Sequence, residues 1–136
     1  MASEAKFGSQ LSEVLLVDDN PLQLRVREAV LLKAGFQVCV ATTAEDALAL
    51  LRTSLGRIGV VVTDHVMPAF SGPELVRVIR AENEWLPIVV LSGQPETFVE
   101  YEGLDVVFRA KPFPPMELIE LVRDSLERAM RQRGAA

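Results

Sequence analysis

Hydrophobic residues alternate between two kinds of run along the chain. One kind is short, rich in Val, Ile and Leu and almost free of polar residues: 14–17, 38–41, 58–62, 88–91 and 106–108. Such runs mark strands buried on both faces. The stretches between them carry helical spacing. In the first, Leu22, Val26, Ala29 and Val30 fall on one face, Gln23, Arg25, Arg27 and Glu28 fall elsewhere, and Gly35 supplies a stop. In the second, Thr43 can cap, Ala47, Leu48 and Leu51 form the stripe, and Gly56 follows. The third starts near Pro73 with Leu75, Val76 and Ile79 inward; the fifth starts at Pro115 with Leu118, Ile119, Val122, Leu126 and Met130 inward. Segment 94–103 offers only Phe98, Val99 and Tyr101 for packing, which predicts a short or irregular fourth helix. Strands alternating with helices give a doubly wound, five-stranded parallel α/β sheet with helices on both faces. One common order for five such strands is 2-1-3-4-5, the flavodoxin-like arrangement, whose reversal point lies between strands one and three.

Composition narrows the class without changing the fold. The 136 residues suit one domain, expected over 12–130 between loose tails at 1–11 and 131–136. Cys39, the single cysteine, can form no internal bridge and reads as a core thiol, which fits a reducing, cytoplasmic compartment. No apolar stretch approaches the roughly 18 residues of a membrane span, and the polar N-terminus lacks a signal-peptide core, so no membrane insertion is expected. A net charge of −5 argues against nucleic acid as a direct partner, since phosphate contacts need clustered Lys and Arg. The one basic cluster is Arg128, Arg131 and Arg133.

Polar residues that interrupt the apolar pattern sit at strand carboxyl ends. Asp18 and Asp19 follow strand one, Asp64 and Ser92 close strands three and four, and Lys111 follows strand five. In a parallel sheet those ends share one edge, so the residues converge. Carboxylates about 4 Å apart repel by about 4 kcal/mol per pair at an effective dielectric near 20. Cations must therefore sit among them: Lys111 supplies one charge, and Mg²⁺ suits an all-oxygen site. Zinc is excluded by the single His and the single Cys. Taken singly, each residue has an ordinary reading: Asp18-Asp19-Asn20-Pro21 as a turn or helix cap, Asp64 as a loop acid, Ser92 as a cap, Lys111 as a solvated charge. His65 reads as a solvent-facing loop residue, and Trp85 as packing near the start of strand four.

Four strings in order, Leu16-Val17-Asp18-Asp19-Asn20, Thr63-Asp64-His65-Val66-Met67-Pro68 with Gly72, Leu91-Ser92-Gly93, and Phe108 followed by Lys111-Pro112-Phe113, resemble the receiver domain of bacterial two-component response regulators, the CheY-like family. The resemblance covers about residues 12–130. It implies that Asp64 is the phosphoacceptor, attacking a phosphohistidine on a sensor histidine kinase or histidine phosphotransfer protein. It implies that Asp18, Asp19, Asp64 and the backbone carbonyl of Val66 hold Mg²⁺, with Asp19 the closer ligand of the acidic pair. Lys111 and Ser92 would bond phosphoryl oxygens. Ser92 and Phe108 would form a switch, Phe108 turning into space vacated beneath the fourth segment and altering a surface read by a downstream target protein. The family's Lys111-Pro112 bond is usually cis.

Departures from the pattern stand beside it. The interval from Ser92 to Lys111 is short, Gly93-Gln94-Pro95 replaces the small-residue opening of a regular fourth helix, and Val66 brings no polar side chain, leaving Gln94 to fill that side of the pocket. With no recognisable output domain after the fifth helix, output is expected through another protein, with a homodimer left open. The domain would catalyse only its own phosphotransfer and dephosphorylation. Two alternatives remain: a receiver-like adaptor that binds without phosphorylation, and an FMN binder or aspartate-dependent phosphatase on a similar sheet. The second is disfavoured by acids where a phosphate loop belongs.

Overall fold

The structure is a computed structural model that describes residues 13–54, 56–67 and 70–135. The expected N-terminal tail at 1–11 and Pro68 of the second string lie outside the described residues. Five strands, β1 (Glu13–Val17), β2 (Gln37–Ala41), β3 (Ile58–Asp64), β4 (Ile88–Ser92) and β5 (Val107–Ala110), pair in parallel in the order β2-β1-β3-β4-β5. Four α-helices, α1 (Pro21–Lys33), α2 (Ala44–Thr53), α3 (Gly72–Glu82) and α4 (Pro115–Ala135), cover the two faces, and a 3-10 helix, Pro95–Tyr101, stands in the fourth connection. The expected fold, including its irregular fourth segment, is the one found. Strand ends differ by a residue or two from the apolar runs because the backbone ladder continues into polar positions. Asp64 and Ser92 are themselves paired strand residues.

α1, α2 and α3 each begin where a side chain satisfies free N–H groups. Asn20 accepts from the backbone N–H of Leu22 and Gln23 at α1, and Thr43 from that of Asp46 at α2. Ser71 and Glu74 form a reciprocal capping box at α3. α1 ends in a Schellman arrangement: Phe36 N–H donates to the Leu31 carbonyl and Gly35 N–H to that of Leu32, with Gly35 at φ +98°.

Alternation along the strands divides the interior into two cores. Leu15, Val17, Val61, Ile88 and Val90 pack toward α2 and α3 with Ala47, Leu48, Leu75, Val76, Ile79 and Tyr101. Val14, Leu16, Val60, Val62, Val89 and Leu91 pack toward α1 and α4 with Leu24, Leu31, Leu118, Val122 and Leu126. The inward faces expected for α2, α3 and α4 are therefore largely those observed. The face expected for α1 is not. Leu22 is 73% exposed and Val26 56%, Ala29 is exposed and Val30 half-buried, whereas Leu24 and Leu31 are buried. Trp85, expected to pack, is 64% exposed, because Asn83 Oδ1 caps Trp85 and Leu86 N–H and it is Leu86 that turns inward. In the 3-10 helix Tyr101 and Thr97 are buried, and Phe98 and Val99 are exposed. Cys39 is half-buried against the α2/α3 core, and burial pushes its thiol up to about 11.

Arg80, near the end of α3, fastens the connection into β5. Its guanidinium donates to the carbonyls of Leu104 (2.7 Å), Asp105 (2.7 Å), Leu86 (2.6 Å) and Asn83 (3.2 Å). Burial lowers its pKa. Asp105 adopts a positive φ of 55° in that connection. Among the described residues, no helix is long and apolar enough to cross a membrane.

Candidate functional site

Backbone bonds beyond the strands carry the ladder one residue further and set the polar groups at the sheet's carboxyl edge. Asp18 N–H donates to the Ala41 carbonyl (3.1 Å), His65 N–H to that of Leu91 (2.9 Å) and Lys111 N–H to that of Ser92 (2.7 Å). Asp64 follows Val60 and Val62 in the alternation, so it belongs to the face covered by α1 and α4. The Lys111-Pro112 bond is cis.

Asp18 and Asp64 are buried, and cations lie between them. Lys111 Nζ is 3.0 Å from Asp64 Oδ1. Arg27 Nη1 lies 2.8 Å from Asp18 Oδ2 and 3.5 Å from Asp64 Oδ1, and its Nη2 donates to Gln23 Oε1 at 3.0 Å. The Arg27 side chain is only 12% exposed. Asp18 Oδ1 accepts from Asn20 N–H at 2.9 Å. Burial raises the pKa of Asp18, and repulsion from Asp64 and Asp19 adds to the rise, against the lowering effects of Asn20 N–H and Arg27.

The like-charge argument names Lys111 and Mg²⁺ as the cations, whereas Arg27, which the helical spacing of α1 places off its apolar face, is the cation that contacts both acids. Leu24, Arg27 and Leu31, spaced i, i+3 and i+7, form the inward line of α1. Helical side chains lean toward the helix N-terminus, which carries the guanidinium up to the strand ends. The surplus of acids at this edge, together with one Arg three and four residues from two leucines, was the signal available.

Asp19 stands exposed on the rim instead of closing around a centre with Asp18 and Asp64. Among the described residues, no three His, Cys, Asp or Glu side chains gather as a metal group. Asp18 and Asp64 nevertheless meet on one cationic partner, Arg27, and their carboxylates are the kind of oxygen donor that suits a hard cation.

Ser92 is buried, and its hydroxyl is engaged locally. It lies 3.0 Å from Thr97 Oγ1, accepts from Gln94 N–H (3.0 Å) and is 3.2 Å from the Gln94 carbonyl. Gln94 therefore acts through its main chain, and its side chain is exposed. The half-buried ring of Phe108 lies 6.1 Å from that of Phe98 and 6.0 Å from that of Tyr101.

His65 is buried, contrary to its expected place in solvent. It follows Asp64, points to the opposite face, and its Nδ1 is 2.7 Å from the Tyr101 hydroxyl. Burial, with the charges of Glu100 and Asp64, raises the Tyr101 pKa. Gly72 N–H donates to the His65 carbonyl at 3.0 Å, and a Cβ at Gly72 would overlap the Tyr101 hydroxyl. Two hydrogen bonds of His65 thus tie the segment after Asp64 to α3 and to the 3-10 helix.

Comparison with known proteins agrees with this arrangement. The response regulator receiver domain family matches residues 14–123. The "DNA-binding response regulator MtrA" of Mycolicibacterium smegmatis is 33% identical over 118 residues, 85% of this chain and 50% of the relative. The "C4-dicarboxylate transport transcriptional regulatory protein DctD" of Pseudomonas aeruginosa is 34% identical over 131 residues, 93% of this chain and 28% of the relative. The chain thus spans half or less of these relatives' lengths. A response regulator receiver protein from Pseudomonas putida superposes with a TM-score of 0.77 at 36% identity, covering 84% of this chain and 97% of that one. A receiver domain from Clostridium thermocellum shares the fold with a TM-score of 0.82 at 21% identity, covering 90% and 99%. With the acids, hydroxyl and lysine at one sheet edge and a family match over most of its length, the chain belongs to the response regulator receiver domain family.

Proposed function

We propose that this receiver domain, taken as residues 12–130, accepts a phosphoryl group on Asp64 from a phosphohistidine of a sensor histidine kinase or histidine phosphotransfer protein, and passes the change to a downstream target. One observation carries this reading: the Asp64 carboxylate is buried at the strand edge with Lys111 Nζ 3.0 Å from Oδ1. Among the described residues, Oδ2 has no hydrogen-bond donor, which leaves that oxygen to attack phosphorus. The new bond is Oδ2–P, the bond broken is P–N, and the electron pair leaves with the imidazole of the donor. Lys111, held by its backbone bond to Ser92, balances charge on an equatorial oxygen as the transition state forms.

Asp18 and Asp64, with Asp19 and the Val66 carbonyl, would hold Mg²⁺, which when bound neutralises further phosphoryl charge. Ser92 would exchange its bonds to Thr97 and Gln94 for a phosphoryl oxygen. Thr97 belongs to the 3-10 helix, and Phe108 packs against Phe98 and Tyr101 of the same helix. A turn of Ser92 would therefore be felt at the surface that this helix and β5 form. The domain catalyses only its own phosphotransfer and dephosphorylation, and we place it in the cytoplasm.

Phosphotransfer profiling tests the reading. Labelled sensor kinases and histidine phosphotransfer proteins of the source organism are incubated with the chain and Mg²⁺. Rapid loss of label from one donor to wild type, and none to Asp64→Asn, is expected. Equal transfer to both proteins would contradict the assignment of Asp64. Target binding that ignores both phosphorylation and Asp64→Asn would favour an adaptor.

A further inference from the structure

We infer that Arg27 is a built-in competitor of the divalent cation: its guanidinium and the metal are alternative occupants of one seat between Asp18 and Asp64. The inference rests on the metal-holding role proposed above for those acids. It starts from three distances. Arg27 Nη1 sits 2.8 Å from Asp18 Oδ2 and 3.5 Å from Asp64 Oδ1, and Nη2 is held at 3.0 Å by Gln23 Oε1 one turn earlier on α1.

Those two oxygens belong to two of the acids that would hold the ion. The remaining oxygen of Asp18 already accepts from Asn20 N–H at 2.9 Å, so both oxygens of this carboxylate are engaged within the protein. A divalent ion entering this pair would face a full positive charge bonded to the same lone pairs. Both cations cannot be served at once in a site this enclosed, where Asp18 is 1% exposed and Arg27 12%. The guanidinium, a planar fork, has two anchors, Asp18 and Gln23, and the helix that carries it is packed on the sheet by Leu24 and Leu31 on either side.

Two consequences follow. In the metal-free protein Arg27 relieves the repulsion between Asp18 and Asp64, so the buried acids remain compatible with a folded edge. Metal entry must move the guanidinium out, so the affinity measured in wild type is the intrinsic affinity multiplied by the fraction of molecules whose seat is vacant.

The test is calorimetric titration of the full chain with MgCl₂, with no phosphodonor present, on wild type, Arg27→Gln and Gln23→Ala. If Arg27 occupies the seat at least nine-tenths of the time, Arg27→Gln binds Mg²⁺ about tenfold more tightly or better. Gln23→Ala changes an exposed side chain and removes only the second anchor, so it folds even if Arg27→Gln does not. It should tighten binding by about twofold or more. Mg²⁺ should also raise the melting temperature of Arg27→Gln more than that of wild type, as ligand linkage requires. Equal or weaker binding in the variants, with wild type binding normally, overturns the competition and leaves the phosphoacceptor reading intact. No Mg²⁺ binding by any of the three overturns both.

Discussion

The contact between Gly72 and Tyr101 offers a prediction that can be worked from the structure. A Cβ placed on Gly72 would overlap the Tyr101 hydroxyl and would approach the His65 carbonyl oxygen at 3.0 Å and its Cα at 3.1 Å. The hydroxyl cannot simply swing aside, because Tyr101 is buried and bonded to His65 Nδ1 at 2.7 Å. Gly72→Ala should therefore destabilise the domain by about 1–3 kcal/mol, the usual cost of overpacking. Tyr101→Phe removes the hydroxyl and leaves a buried ring nitrogen without its partner, for about 1–2 kcal/mol. In the Tyr101→Phe background the alanine loses its worst clash, though the two His65 backbone contacts persist. The double variant should thus be more stable than the sum of the singles by about 1 kcal/mol. Urea denaturation of the four proteins, followed by circular dichroism at constant m-value, measures this coupling. Additivity within about 0.3 kcal/mol would refute the idea that the hydroxyl fills the space above Gly72.

Other outcomes follow from single sites. Arg80→Met keeps the stem but removes the donors to four carbonyls, and should cost roughly 2–3 kcal/mol in urea denaturation, since bonds from a charged donor are the stronger kind. A loss under about 0.5 kcal/mol would mean that water replaces the clamp. Leu31→Ala should cost about 2–5 kcal/mol while Leu22→Ala stays within about 0.5 kcal/mol, and the reverse ranking would restore the originally expected face of α1. With its thiol near 11 against an ordinary 9.0, Cys39 at pH 8 should react with iodoacetamide about a hundredfold more slowly in native than in unfolded protein. The unfolded thiol ionises first on raising the pH, so Cys39's contribution to stability is intact below about pH 9 and is lost toward 11. A native rate equal to the unfolded rate would contradict the burial.

What the amino-acid order revealed depended on how one-sided each segment was. α2 and α3 place Ala47 and Leu48, and Leu75, Val76 and Ile79, on a single stripe, so their inward faces were legible. α1 carries Leu22, Leu24, Val26, Val30, Leu31 and Leu32 around most of its circumference, and no periodicity could select Leu24 and Leu31. The same ambiguity hid Arg27. That Asp18, Asp64, Ser92 and Lys111 lie at one edge of the sheet was readable because strand ends in a parallel sheet must share an edge. The local partners of Ser92 were not, because they depend on how Gln94 and Thr97 turn in a 3-10 helix too short for a pattern. His65 reads as a loop residue until Tyr101, 36 positions later, supplies its partner.

The most direct measurement of the central claim is intact-protein and peptide mass spectrometry of the full chain after incubation with Mg²⁺ and a small-molecule phosphodonor, without any kinase. The account predicts the added mass of a single phosphoryl group on Asp64, stable in acid, released in base and absent from Asp64→Asn. Unmodified wild type under those conditions, or label that persists in Asp64→Asn, would contradict it.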